Sequence, residues 1–124
     1  MEKYLLIGLG AFLGANARYM MQNWAAARWG TSFPLGTLLV NVIGSFILGF
    51  FLTAATQRAA ISTNWRLFIA VGLLGGYTTF SSFTYETLAL LQGDRWLAPM
   101  LYLGGNVVVG LLAAFAGILL ARAL

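Results

Sequence analysis

Four long stretches without a charged side chain constrain the fold of this sequence more than any other feature. They are residues 4–17, 29–57, 67–85 and 96–121. Crossing the hydrocarbon core of a bilayer takes about 20 mostly apolar residues. Three stretches reach or nearly reach that length, and the first does so once Arg18 is counted within a helix or at its end. The sequence therefore predicts an all-α integral membrane protein, a single membrane domain over residues 1–124 with spans at about 4–21, 35–56, 65–91 and 98–121.

The composition argues against a soluble protein and against an enzyme. Hydrophobic residues make up 60% of the 124 residues and charged residues 8%, whereas soluble domains carry about 25% charged residues. The sequence contains no cysteine and no histidine, so a disulfide or a thiolate metal site is excluded. No serine has an evident base partner for nucleophilic catalysis. We therefore expect a membrane protein without enzymatic activity.

The first stretch also has features of a cleaved signal peptide. Lys3 precedes an apolar run that ends in small residues at 15–17, which resembles a cleavage site. Cleavage there would discard Gly10 and Gly14, whose four-residue spacing suits close helix packing. We therefore interpret this stretch as a span.

The net charge of +4 is scattered along the chain, so no nucleic-acid partner is expected. Lysine and arginine near span ends orient a membrane protein. With an even number of spans, four basic residues fall on one side and two or three on the other: Lys3, Arg58, Arg66 and Arg122 against Arg28, Arg95 and Arg18. This weak bias predicts insertion in both orientations.

The third span contains an unfavourable helix interior. Gly75 and Gly76 are followed by Tyr77, Thr78 and Thr79 near its middle, and adjacent glycines followed by β-branched residues disfavour a continuous helix. We predict a break here. Freed backbone groups at membrane depth are tolerated where they are buried in protein or line a cavity.

Polar side chains recur at helical spacing on three spans, and such groups inside a membrane need protein partners or water. They form three stripes: Thr37, Asn41 and Ser45 on span two; Thr79, Ser82 and Glu86 on span three; Tyr102, Asn106 and Gly110 on span four. Any single hydroxyl is more simply explained by a bond to its own helix, and a lone asparagine by helix packing worth about 1 kcal/mol or less. The coincidence with a predicted break and two nearby rings, Phe80 and Phe83, favours a path for an ion.

The donor types indicate the sign of that ion. Amides, hydroxyls, N–H groups at a helix start and the positive edges of aromatic rings all stabilise an anion. A basic residue such as Arg18 would raise the local anion concentration at a mouth. Glu86 is the only acid expected to reach the membrane, whereas cation filters usually use rings of acids or carbonyls.

Three segments of the sequence resemble the signature blocks of the Fluc (CrcB-type) fluoride channels. They are GANARY at 14–19, GTLLVNVIGSF at 36–46 and GGYTTFSSF at 75–83. The third block is highly specific, and the resemblance covers nearly the whole chain in length, helix count and motif order. It implies an antiparallel homodimer with the third span broken at mid-membrane, two fluoride pores and a central structural Na⁺.

The resemblance also implies individual roles. Asn41 would donate to fluoride, and Phe80 and Phe83 would present ring edges to it. The backbone carbonyls of Gly75 and Thr78 would hold the sodium ion. The remaining residues would form a polar pore track and its entrance: Thr37, Ser81, Ser82, Glu86, Tyr102, Asn106 and, at the entrance, Arg18. Family members often have serine in place of Asn106.

We therefore expect a passive fluoride-selective channel, multi-pass in the bacterial plasma (inner) membrane, that lets cytoplasmic fluoride leave the cell. Its expected partners are fluoride, a second copy of the chain and the lipid bilayer. One alternative is a small multidrug-type proton-coupled exporter, although that class uses a glutamate deep in span one, and here the only acid of span one is Glu2 at its start. Another is a non-transporting assembly subunit, in which the polar groups only hold helices together.

Overall fold

The computed structural model describes residues 1–57 and 61–124, and all regular structure within them is helical. We number five helices: α1, Glu2–Trp29; α2, Leu35–Gln57; α3, residues 63–77; α4, Phe80–Leu91; and α5, Leu97–Ala123. The prediction of an all-α fold is confirmed. The connection between the second and third predicted spans includes residues 58–60, and with them Arg58, which lie outside the described residues.

Within the part of the chain that the structure describes, three helical segments are long and apolar enough to cross a membrane, which supports a multi-pass membrane protein. They are Leu35–Gln57, Thr63–Leu91 and Leu97–Ala123, with 23, 29 and 27 residues. Helix α1 has 28 residues but is not among them; it contains Arg18, Gln22 and Asn23 in its second half. The first of the four predicted spans, at about 4–21, therefore stays a prediction.

Local sequence explains where α1 ends and where α2 begins. Gly30 has a φ of +83°, a conformation that glycine adopts at little cost, and its N–H donates to the Ala26 carbonyl at 2.8 Å. Pro34 lies directly before Leu35, the first residue of α2. Proline is tolerated at the start of a helix because its missing N–H would have no partner within the helix there. The chain therefore reverses direction between α1 and α2.

Glycines set the spacing of the two most closely packed helix pairs, α1 with α3 and α2 with α5. A methyl group at Gly14 would clash with the Leu73 carbonyl, and one at Gly117 with the Phe46 carbonyl. Without side chains at these positions, the backbones can approach each other directly. The bundle therefore has two tight helix pairs, and the polar side chains described below come from α1, α2, α4 and α5.

Helices α3 and α5 each contain a wider π-helical stretch. In α3 it covers Leu67–Leu74, between α-helical turns at Thr63–Arg66 and Gly75–Tyr77; in α5 it covers Gly105–Val109. Such stretches change which residues share a helix face and often occur at functional sites. The second one carries Asn106, a predicted site residue.

Two threonines separate α3 from α4. Thr78 has φ −82° and ψ 161°, and Thr79 has φ −152° and ψ 120°, so both are extended. Gly75 and Gly76, predicted to be part of a break, are themselves helical. Gly76 instead packs against the backbone of Ala11, where a methyl group would lie 2.7 Å from the Ala11 oxygen. The glycine pair therefore serves helix packing, and the interruption between α3 and α4 consists of Thr78 and Thr79.

Candidate functional site

Asn41 of α2 supplies hydrogen bonds to the interruption between α3 and α4. Its Oδ1 accepts from the Thr79 N–H at 2.8 Å, and its Nδ2 donates to the Thr79 carbonyl at 3.0 Å. The Thr79 N–H requires an oxygen opposite it, which fixes the orientation of the amide. One side chain thus satisfies both backbone groups of Thr79. The other hydrogen on Nδ2 is donated to Asn106 Oδ1 at 2.8 Å. Both N–H groups of Asn41 are therefore bonded within the chain in this structure.

A second polar cluster surrounds the carboxylate of Glu86 on α4. Thr37 Oγ1 donates to Glu86 Oε1 at 3.0 Å, and the Tyr102 hydroxyl donates to Glu86 Oε2 at 2.5 Å. Gln22 of α1 donates to Thr37 Oγ1 at 3.0 Å. Four helices, α1, α2, α4 and α5, therefore each contribute one side chain to this cluster.

Asn106 connects the two clusters. Its Oδ1 accepts from Asn41, and its Nδ2 donates to the Tyr102 carbonyl at 3.0 Å. Tyr102 is fully buried and carries the hydroxyl that bonds Glu86. The two clusters therefore meet at Tyr102, whose hydroxyl bonds one and whose carbonyl bonds the other, and together they extend from Gln22 to the backbone of Thr79.

The hydroxyl side chains between residues 78 and 84 have separate roles. Thr79 caps the N-terminus of α4, because its Oγ1 accepts from the Ser82 N–H at 3.2 Å, as an N-cap residue does. The Thr79 hydroxyl also donates to Ser82 Oγ at 3.1 Å and lies 3.4 Å from Ser81 Oγ. Thr78 and Thr84 bond carbonyls of their own chain segment instead. For those two residues, local bonding is the sufficient explanation.

The two predicted phenylalanines lie in different environments. Their ring centroids are 5.7 Å apart at an interplanar angle of 64°. Phe83 is 7% exposed and lies 5.7 Å from the Tyr102 ring, whereas Phe80 is 76% exposed on the surface of this chain. Phe83 therefore belongs to the interior beside the polar groups, and Phe80 faces outward from them.

Arg18 contacts the interruption from the α1 side. Its Nη1 donates to the Thr78 carbonyl at 3.2 Å. This carbonyl is one of the two that the family resemblance assigns to sodium; the other belongs to Gly75, which is exposed on this chain. Arg18 is also i+4 from the buried Gly14, so α1 brings it to this position on the face that packs against α3.

We expect Arg18→Met to lower the free energy of unfolding by about 1.5–3 kcal/mol, because a charged donor is removed from the Thr78 carbonyl. Arg95→Met, in an exposed turn, should change it by less than about 0.5 kcal/mol. Denaturant titration of both purified variants in detergent measures the difference. Equal stability of the two would contradict a structural bond at Thr78.

One cavity opens onto the Glu86 cluster. It has a volume of about 410 Å³ and lies where the end of α1, the connecting turn and the start of α2 meet. Its polar lining includes Gln22, Asn23, Thr31, Thr37, Ser82 and Glu86. Arg18, predicted at an entrance, is not among the described residues that line it. The cavity gives the polar groups an opening at one end of the bundle.

The structure brings most predicted site residues together and separates a few. The polar clusters and their surroundings contain Thr37, Asn41, Ser82, Phe83, Glu86, Tyr102 and Asn106. Ser81 and Phe80 are exposed on this chain. Gln22 was missed by the sequence interpretation, which placed it beyond the end of span one. Its spacing was a usable signal, since Gly14, Arg18 and Gln22 follow one another at four-residue intervals.

Comparison with known proteins identifies the family. The family model described as "CrcB-like protein, Camphor Resistance (CrcB)" matches residues 5–118. The chain belongs to the CrcB family. The resemblance inferred from the three sequence blocks is thereby confirmed.

Similar CrcB-family relatives are named "Fluoride-specific ion channel FluC". The relative from Roseiflexus sp. (strain RS-1) is 50% identical over 120 residues, which is 97% of each chain. That from Anaeromyxobacter sp. (strain K) is 51% identical over 122 residues, covering 98% of this chain and 97% of its own. That from Thermus thermophilus is 49% identical over 123 residues, covering 99% and 96%. These relatives are named as ion channels and not as enzymes.

Proposed function

We propose that this protein is a passive fluoride-selective channel that lets cytoplasmic fluoride leave the cell. The observation that carries the proposal is the pair of adjoining polar clusters that extend from Gln22 to Thr79, open to a cavity at one end. Relatives of about 50% identity over nearly the whole chain carry the name of a fluoride-specific channel. Both facts favour transport over a purely structural role.

The chemistry of the polar groups suits fluoride. This ion is small and strongly hydrated, so a passage must replace several water molecules and still release the ion. Hydroxyls, an amide and ring edges offer moderate hydrogen-bonding partners without a fixed positive charge. Along the proposed path, fluoride would move from the cavity past Thr37, Ser82 and Glu86, then beside Phe83 and Tyr102 to Asn41 and Asn106.

The proposed path requires rearrangement at Asn41. Both of its N–H groups bond protein oxygens in this structure. Fluoride would have to replace Asn106 Oδ1 as the acceptor, because the bond to the Thr79 carbonyl maintains the backbone interruption. Exchange of one acceptor for another costs less than exposing a bare donor.

We further propose that two copies assemble in antiparallel orientation, with the Thr78–Thr79 interruption at mid-membrane and two pores. Phe80 is 76% exposed, and Gly75 is also exposed, although both are expected to meet ions. A second copy of the chain would cover them and exclude lipid. The near-balanced lysine and arginine counts support insertion both ways.

Sodium suits the oxygen atoms available at the proposed dimer centre. The Thr79 N–H bonds Asn41, so it does not continue the helical ladder to the Gly75 carbonyl. Carbonyl oxygens at an unwound helix are typical sodium ligands. The carbonyls of Gly75 and Thr78 from each copy would hold the ion, which would fix the two interruptions together.

Efflux from liposomes separates the three function classes. Vesicles containing the purified protein are loaded with fluoride or chloride, and external ion is followed with a selective electrode. The channel proposal expects rapid fluoride loss with negligible chloride loss and no need for a pH gradient. Dependence on a pH gradient would support a proton-coupled exporter, and no flux would support an assembly subunit.

A further inference from the structure

We infer that Gln22 is a positioning residue of the pore, acting through Thr37 on the carboxylate of Glu86; the inference rests on the proposed function. Gln22 is on α1, outside the three sequence blocks that define the resemblance. Its Nε2 lies 3.0 Å from Thr37 Oγ1, which lies 3.0 Å from Glu86 Oε1. All three side chains line the same cavity.

The direction of each bond in this series follows from the number of hydrogens available. A carboxylate only accepts, so the single hydroxyl hydrogen of Thr37 points to Glu86. The oxygen of Thr37 then accepts a hydrogen from the Nε2 of Gln22 at 3.0 Å. The amide of Gln22 therefore helps to hold the Thr37 hydroxyl in the rotation that donates to Glu86.

Gly36 provides a second, independent indication that this contact is built into the fold. A methyl group at Gly36 would lie 2.7 Å from the Cα and 3.1 Å from the Cγ of Gln22. The absence of a side chain at Gly36 lets α1 approach α2 closely enough for the amide to reach the next residue, Thr37. Gly36 thus permits the close approach of α1 and α2, and Thr37 accepts the hydrogen bond from Gln22.

The consequence for transport concerns the negative charge at the inner end of the cavity. With Gln22 in place, Glu86 is held by one hydroxyl on each oxygen, from Thr37 and from Tyr102. Without it, the Thr37 hydroxyl can rotate away, Glu86 keeps only the Tyr102 hydroxyl as a donor, and the carboxylate gains freedom to turn toward the cavity. A mobile negative charge there would oppose the arrival of fluoride. The expected defect is therefore in fluoride capture rather than in maximal flux.

The test is the concentration dependence of fluoride flux in liposomes. Gln22→Met keeps the length of the side chain but removes its donor, and it should raise the half-saturating fluoride concentration roughly three- to tenfold, the usual effect of one hydrogen bond. Gly36→Ala should raise it as well. Gln92→Met, the same substitution at an exposed position after α4, should match the wild type.

A double-variant cycle with Thr37→Val separates positioning from general structural support. If Gln22 acts through Thr37, then Gln22→Met should add no further increase in the Thr37→Val background. Independent, multiplying effects would overturn the inference, as would a lower maximal flux with unchanged half-saturation. Gln22→Leu supplies a second uncharged variant without the donor, and it should show the same increase if Gln22→Met folds poorly.

The channel function and the role of Gln22 are refuted by different results. Wild-type protein that conducts no fluoride would overturn both the channel function and the role of Gln22. Wild-type conduction with unchanged half-saturation in Gln22→Met and Gln22→Leu would overturn the role of Gln22 alone.

Discussion

Replacing Asn41 with alanine should lower fluoride flux by at least about 30-fold. The substitution leaves the N–H and carbonyl of Thr79 without the partners that they have at 2.8 and 3.0 Å. Unpaired groups of this kind cost about 1–3 kcal/mol each, so two of them cost about 2 kcal/mol or more, and each 1.4 kcal/mol changes a rate tenfold. Because this cost falls at the proposed narrowest part of the path, it should reduce conduction directly. Fluoride efflux from liposomes measures the loss.

Ser45→Ala is the matched control for Asn41→Ala. Ser45 is one helical turn further along α2 on the predicted polar stripe, and it has no place in either polar cluster. We expect its flux to stay within about twofold of the wild type, since substitutions away from such networks usually change free energy by less than about 0.5 kcal/mol. Wild-type flux in Asn41→Ala would refute the assigned role of Asn41.

Phe80→Ile should lower fluoride flux about tenfold without destabilising the isolated chain. The ring edge that would meet the ion is lost, and such aromatic contacts are worth about 0.5–1.5 kcal/mol. Phe80 is 76% exposed on this chain, so its removal leaves no cavity inside the bundle. Efflux and denaturant unfolding of the same preparation test both parts.

Phe83→Ile provides the contrast, because its ring is buried against Tyr102. This variant should lose flux and also about 1–3 kcal/mol of stability, since a smaller side chain leaves the interior underpacked. Phe80→Ile with normal flux would show that the exposed ring faces lipid rather than a pore. Equal destabilisation by the two substitutions would contradict their different burial.

The sequence predicted the helical class and most members of the polar site because both depend on local patterns. Uncharged runs longer than a bilayer span leave little alternative to membrane helices. Four-residue spacing places Thr37 and Asn41 on one face of α2 regardless of how the helices pack. Thr37 then contacts Glu86, and Asn41 contacts Asn106, once the polar faces of α2, α4 and α5 point toward the interior of the bundle.

Other features depend on packing between helices, which sequence spacing alone does not reveal. Gly75 and Gly76 are poor helix formers in isolation, but contact with α1 keeps them helical, and the extended residues are Thr78 and Thr79. The bidentate contact of Asn41 with Thr79 bridges 38 residues of sequence. Tertiary contacts thus overrode helix propensity at this point.

Sequence spacing alone does not distinguish the exposure of Phe80 from that of Phe83. Residues three apart share a helix face, yet the rings differ in exposure from 76% to 7%. The difference arises because α4 begins at Phe80, directly after the extended threonines, so only Phe83 reaches Tyr102 of α5. Gln22 was not predicted as a site residue for a related reason. Helix α1 continues to Trp29, well beyond the predicted end of span one.

The reversal potential of the reconstituted protein in a planar bilayer is the most direct test of passive, fluoride-selective conduction. Under a tenfold fluoride gradient, the account predicts a reversal potential near the fluoride equilibrium value of about 59 mV. It also predicts no shift when a chloride or pH gradient is added. A reversal potential that follows chloride or pH instead would contradict it.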